Sequence, residues 1–77
     1  MQNINWELIK TKIQKCWEDN LPYLREFKMK NGNIIQVTKY THTEFRLLVI
    51  DLNNKLLLNQ KIKDPEKCYN VIYSMMN

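Results

Sequence analysis

The chain has 77 residues, of which 44% are apolar and 26% are charged, with a net charge of +4. This length predicts a single domain, residues 1–77, and the composition predicts an ordered fold rather than a disordered chain. No apolar run approaches the roughly 20 residues that a membrane-spanning helix needs, so we expect no membrane partner. Alanine is absent and Asn, Lys and Ile are abundant. This bias is typical of AT-rich bacterial and phage genes. Since the sequence also shows neither a charged-then-apolar leader nor a membrane-spanning run, we expect the protein in the cytoplasm of a bacterial host cell.

The first predicted element is a helix from about Asn5 to Asp19. Asn5 is a favourable N-cap, and Glu7 lies in the first turn, where a carboxylate complements the helix dipole. The helix ends before Pro22, because the residue before a proline disfavours the helical conformation. One face of this helix is apolar and carries Trp6, Ile9, Ile13, Cys16 and Trp17.

The block from Tyr23 to Ile62 contains four apolar runs separated by three polar turns, which predicts an antiparallel β-meander. In the first two runs the odd-numbered face of each carries two apolar residues, and only a loop of odd length places all four on one face of the sheet. These residues are Phe27, Met29, Ile35 and Val37. We therefore expect a three-residue loop, 30–32, with Gly32 in the left-handed conformation as a G1 bulge. The other turns are predicted at 41–44 and near 53–54.

The last predicted element is a helix that opens at Asp64-Pro65, an N-cap followed by a proline in the first turn. Its apolar stripe carries Cys68, Val71, Ile72 and Met75. The chain is thus predicted to be an α+β protein of order α-β-β-β-β-α. In this fold, N- and C-terminal helices flank an antiparallel four-stranded β-meander.

The third strand, residues 45–50, is apolar on both faces. A domain this small needs only two layers, so we expect both helices on one face of the sheet. We assign to the covered face Phe27, Met29, Ile35, Val37, Leu48 and Ile50. We assign to the other face Ile34, Tyr40, Phe45, Leu47 and Val49. Coverage of this second face by one of the helices is the alternative.

An exposed apolar sheet face is typical of an interaction site. Residues 21–63 also carry eight basic residues against three acidic ones, a net charge of +5, which attracts acidic partners. The predicted partner-binding residues are Tyr40, Phe45, Leu47 and Val49, together with Lys28, Lys30 and Arg46. A helix lying across Leu47 and Val49 would contradict this prediction and leave the basic turns as the candidate surface.

Catalytic and metal-binding groups are sparse, so we expect a protein without enzymatic activity, cofactor or metal. His42, the sole histidine, lies in a predicted turn, where a histidine is typically solvated. Small helix-sheet-helix ribonuclease toxins use one histidine on a sheet, which makes such an enzyme the distant alternative. Cys16 and Cys68 lack C-x-x-C spacing and are expected to be reduced and buried, with a disulfide between the helices as the alternative.

Three segments carry a resemblance to a known group of proteins. They are the opening Asn3-Ile4-Asn5 with Leu8-Ile9 and Lys12-Ile13, the stretch 47–54, and Val71-Ile72 near the end. Their arrangement resembles small phage-encoded anti-CRISPR proteins that inhibit Cas9 and are built as helix, sheet and helix. The best-known inhibitors of that shape are acidic DNA mimics, whereas this chain is basic. The mimicry mechanism therefore does not carry over.

The resemblance and the charge map together predict a phage or mobile-element inhibitor or regulator. Its expected target is a protein or nucleoprotein, such as a host defence nuclease, bound through a sheet face and basic turns. The alternative is a single-stranded nucleic-acid-binding protein that stacks bases on Tyr40 and Phe45. A second copy of the chain is a further candidate partner.

Overall fold

The fold is one antiparallel sheet with a helix before it and a helix after it. The computed structural model describes residues 4–40 and 44–77. The elements are α1 (Trp6–Glu18), β1 (Tyr23–Lys28), β2 (Ile34–Lys39), β3 (Phe45–Ile50), β4 (Leu56–Ile62) and α2 (Pro65–Met76). The strands lie in the order β1-β2-β3-β4, each antiparallel to its neighbour. The predicted α+β class and order of elements are confirmed.

Local sequence signals set the starts of both helices. Asn5 caps α1 by accepting a hydrogen bond from the Leu8 N–H at 3.2 Å. Asp64 caps α2 by accepting one from the Glu66 N–H at 3.0 Å. Pro65 follows in the first turn of α2, where a backbone N–H has no partner within the helix. Each start lies where the cap residue predicts it.

The end of α1 is closed by a left-handed residue and by a buried lysine. Asn20 has φ 54°, and the Leu21 N–H donates to the Cys16 carbonyl at 2.9 Å, as in a Schellman motif. Lys39 at the end of β2 is only 2% exposed. Its Nζ donates to the Leu21 carbonyl at 3.2 Å and to Asn20 Oδ1 at 3.4 Å. This side chain therefore ties β2 to the end of α1.

The first hairpin has the predicted three-residue loop. The Gly32 N–H donates to the Met29 carbonyl at 3.0 Å, and the Met29 N–H donates to the Asn33 carbonyl at 2.8 Å. Gly32 has φ 91°, the left-handed conformation that a G1 bulge requires. A Cβ at this position would lie 2.8 Å from Cδ2 of Leu52, so glycine also allows the third turn to approach.

The third turn repeats this design with an asparagine in place of the glycine. Asn54 has φ 62°, and its N–H donates to the Asp51 carbonyl at 3.0 Å. The Asp51 carboxylate accepts hydrogen bonds from the N–H groups of Asn53 and Lys55, at 2.8 and 2.9 Å. The turn predicted near 53–54 is confirmed. Of the turn predicted at 41–44, residues 41–43 lie outside the described residues, and His42 is one of them.

The face assigned to β3 is wrong. The register of β2 and β3 pairs Val37 with Leu47, so odd-numbered residues of both strands share a face. Three residues predicted on the exposed face are instead in the core: Phe45, Leu47 and Val49, with exposures of 0%, 0% and 3%. Leu48 and Ile50, which were assigned to the core, lie on the opposite face.

The error follows from the length of the β2–β3 connection. A turn confined to 41–44 would pair odd-numbered with even-numbered residues. The five residues from 40 to 44 separate β2 from β3 and keep odd opposite odd. A shift of one residue moves every side chain of a strand to the other face of the sheet.

Both helices pack on the face that carries Phe27 and Phe45. Trp6 and Trp17 of α1 stack on these two rings, with centroid distances of 5.9 and 5.7 Å. Helix α2 packs on α1 and β4. The rings of Tyr69 in α2 and Trp6 in α1 form a T-shaped pair with their centroids 6.2 Å apart. The core comprises Ile9, Ile13, Tyr23, Phe27, Ile35, Val37, Phe45, Leu47, Val49, Ile62, Cys68 and Ile72. Neither helix lies on the other face of the sheet, so the arrangement has two layers.

Candidate functional site

The face of the sheet opposite the helices, here called the open face, is the candidate site. Even-numbered residues of β1, β2 and β3 point to it, because the register pairs even with even across both hairpins. On β4, Lys61 and Asn59 are opposite Arg46 and Leu48 and lie on the same face. A β-bulge after this stretch brings Leu56 opposite Ile50, so Leu56 joins them. The remaining residues of the open face are Leu24, Glu26, Lys28, Ile34, Gln36, Thr38, Arg46, Leu48 and Ile50.

One end of the open face is aliphatic. We call Ile34, Leu48, Ile50 and Leu56 the aliphatic cluster. Ile34 pairs with Ile50, and Ile50 pairs with Leu56, so three of the four form one row across three strands. Ile34 is 37% exposed and Leu56 is 51% exposed. Leu48 and Ile50 are partly exposed. A contiguous group of large aliphatic side chains that solvent reaches is typical of a surface that is covered by a partner.

The other end of the open face is basic. Arg46 of β3 and Lys61 of β4 are exposed and directly opposite one another, and we call them the basic pair. Like charges at directly opposite positions of a sheet are destabilising. Within residues 4–40 and 44–77, the ion pair is Lys15–Asp19, and Arg46 forms none with Glu44 two residues away. The basic pair is therefore available to an anion from outside the chain.

Three polar residues, with Leu48 among them, form a row between these two ends. Glu26 of β1 and Gln36 of β2 are opposite each other, and Gln36 Nε2 donates to the Glu26 carboxylate at 3.1 Å. Asn59 completes the row beyond Leu48. Because the acidic group of this row already accepts a hydrogen bond, the open face presents three basic residues and one engaged carboxylate.

The predicted site residues are dispersed by the fold. Lys28 and Arg46 do lie on the open face, although at opposite ends of it. Lys30 lies in the first turn, and Tyr40 lies just beyond β2 with 77% of its surface exposed. The three apolar residues predicted for this surface lie under the helices, where a partner cannot reach them: Phe45, Leu47 and Val49.

The aliphatic cluster was missed on β3, although one residue of that strand favours the correct face without fixing the register. Arg46 is the charged residue of β3. An arginine without an acidic partner is rarely buried, so its even-numbered neighbours belong to the solvent side of the strand. Leu48 and Ile50 share that parity with Arg46.

The thiols offer little chemistry. Cys68 is fully buried, and burial raises the pKa of its thiol to about 12, so it remains protonated at neutral pH. Cys16 is a free thiol that lies 3.8 Å from the Pro22 carbonyl.

Among the described residues, no group of three or more His, Cys, Asp or Glu side chains is placed to hold a metal ion. In the same part of the chain, no helix is long and apolar enough to cross a membrane.

Comparison with known proteins returned no relative. Neither the family models, nor the curated proteins, nor the solved structures include a match to this chain.

Proposed function

We propose that this chain is a non-enzymatic binding protein that holds a partner protein or nucleoprotein on the open face. The observation that carries this proposal is the partly exposed aliphatic cluster, which shares with the basic pair the sheet face that neither α1 nor α2 covers. Burial of the aliphatic cluster away from water would supply affinity. The neighbouring charges would supply specificity and a higher association rate.

The size of the open face indicates that adjoining loops take part. Four strands spaced about 4.8 Å apart and about 20 Å long present roughly 300 Å² in projection. A standard protein interface buries about 800 Å² on each partner. The exposed residues at the two ends of the sheet supply the additional surface: Lys30 and Leu52 at one end, and Tyr40 at the other.

Single-stranded nucleic acid is the less supported partner. Platforms for single strands stack bases on aromatic rings and follow the backbone with a continuous basic groove. Phe45, which was predicted to stack a base, is 0% exposed. Among the described residues of the open face, the apolar ones are all aliphatic.

The finer proposal concerns the identity of the target. The resemblance to anti-CRISPR proteins supports an inhibitor made by a phage or mobile element and acting on a host defence nuclease. With a basic open face, such an inhibitor would bind an acidic surface of the nuclease rather than replace DNA. A cleavage assay with a purified guide-directed nuclease, with and without the chain, tests this step.

Two matched leucine variants test the use of the open face. Leu56→Asp places a charge in the aliphatic cluster, and Leu8→Asp places the same charge on the outside of α1. The two leucines are 51% and 47% exposed. The immobilised chain is used to capture partners from a lysate of its source cells, and captured protein is quantified by mass spectrometry.

We expect Leu56→Asp to reduce capture of the specific partner at least about tenfold, because an unpaired buried charge is costly at an interface. Leu8→Asp should leave capture unchanged, and both variants should show thermal melting close to the parent chain. Equal capture by the two variants would show that the open face is not the binding surface.

A further inference from the structure

We infer that the element held on the open face is an acidic amphipathic helix of the partner protein. This inference rests on the proposed function and specifies the partner's chemistry. The helix would place aliphatic side chains over the aliphatic cluster and carboxylates over the basic pair.

The open face is large enough to hold a helix. The edge strands are about 14 Å apart and the strands are about 20 Å long. A helix is 10–12 Å wide with its side chains, and about 13 residues span 20 Å. On the opposite face, the sheet already carries helices of this size, since α1 has 13 residues and α2 has 12.

The spacing of the two ends also matches a helical repeat. Ile50 and Arg46 are four residues apart on β3, which corresponds to roughly 13 Å along the strand. Residues at i and i+8 of a helix are about 12 Å apart and share one face. A single helical stripe can therefore contact both ends of the open face.

The charge of the open face selects an acidic occupant. Arg46 and Lys61 face each other without an ion pair among the described residues, and Lys28 adds a third cation at the other end. Carboxylates above the basic pair would relieve the repulsion between its members. A second copy of the chain would bring three more cations to the same contact, so the charges oppose a symmetric dimer through this face.

Synthetic helical peptides of about 15 residues provide the probes. The acidic peptide carries leucines at i, i+3 and i+4 in one half and glutamates on the same face in the other half. A second peptide replaces the glutamates with lysines, and a third is a scramble of the acidic one. Binding to the full chain is measured by fluorescence anisotropy beside a labelled single-stranded oligonucleotide, at two salt concentrations.

The acidic peptide should bind at least about tenfold more tightly than the lysine peptide or the scramble. Arg46→Gln with Lys61→Gln should reduce this preference to about twofold or less. The matched control, Lys12→Gln with Lys67→Gln, removes the same charge from exposed positions on the helices and should retain it.

Three results would overturn the inference: equal affinity for the acidic peptide and its scramble, tighter binding of the oligonucleotide, or a peptide-resistant dimer in analytical ultracentrifugation. These results are separable from failure of the proposed function. If Leu56→Asp loses capture of the native partner while Arg46→Gln with Lys61→Gln retains it, the open face is still the binding surface. The acidic helix is then rejected.

Discussion

Tyr23 places a hydroxyl group inside the core beneath the helices. Its side chain is 8% exposed, and its ring forms a T-shaped pair with Phe45, with the ring centroids 6.4 Å apart. The hydroxyl oxygen has no hydrogen-bond partner among the described residues. Burial, the largest effect on this group, raises the pKa of Tyr23 to about 12 from 10.0. A buried polar group without a partner is costly to the folded state.

Tyr23→Phe should therefore stabilise the protein by about 1 kcal/mol at pH 7, measured by urea unfolding. The pH dependence has a defined sign. Because the folded pKa lies above the unfolded value, the parent chain loses stability as pH rises from 10 towards 12. Tyr23→Phe should lose less stability over this interval. The stability that it still loses includes the contribution from ionisation of Cys68, whose pKa is also raised to about 12. Destabilisation at pH 7 would show that the hydroxyl has a partner.

At the scale of elements, β3 contributes one face to the core and the other face to the candidate site. Adjacent leucines of this strand face opposite sides of the sheet. Leu47 is 0% exposed under the helices, whereas Leu48 is partly exposed on the open face. The strand therefore contributes to stability on one face and to the proposed binding surface on the other.

Alanine substitution of these two leucines tests the face assignment with matched chemistry. Leu47→Ala should cost about 2–5 kcal/mol, because it leaves a cavity in a closed core. Leu48→Ala should cost less than about 1.5 kcal/mol, because solvent already reaches that side chain. Both values come from denaturant unfolding. Equal losses would indicate that the open face is covered in solution, and the reverse order would indicate a shifted register.

At the scale of the molecule, one core joins all six elements. The two tryptophans of α1 stack on rings of β1 and β3, and α2 contributes Cys68 and Ile72 to the same core. A chain of 77 residues buries only about 60% of its unfolded surface, so neither helix can be lost without exposing this core.

Unfolding should accordingly be a single cooperative transition. Tryptophan fluorescence reports the docking of α1 on the sheet, and far-ultraviolet circular dichroism reports helices and strands together. The two probes should give the same denaturant midpoint. An earlier midpoint by fluorescence would mean that α1 leaves a sheet that remains folded.

The sequence by itself determined the order of the elements, the starts of both helices and the first hairpin, because the signals there act over a few residues. Asn5 and Asp64 cap their own helices, and Gly32 forms its turn with Met29, three residues away. The odd-length first hairpin followed from the parity of the apolar residues around it. None of these signals needs knowledge of a distant contact.

The composition of the open face was decided only by the tertiary structure. It depends on the register of β3 against β2. A connection at 40–44 that was one residue longer or shorter would place Leu48 in the core and Leu47 on the open face. Because β3 is apolar on both sides, hydrophobic alternation cannot fix this register, and packing of α1 on Phe45 selects it instead. The same packing that buried three of the predicted contact residues left the aliphatic cluster and the basic pair exposed.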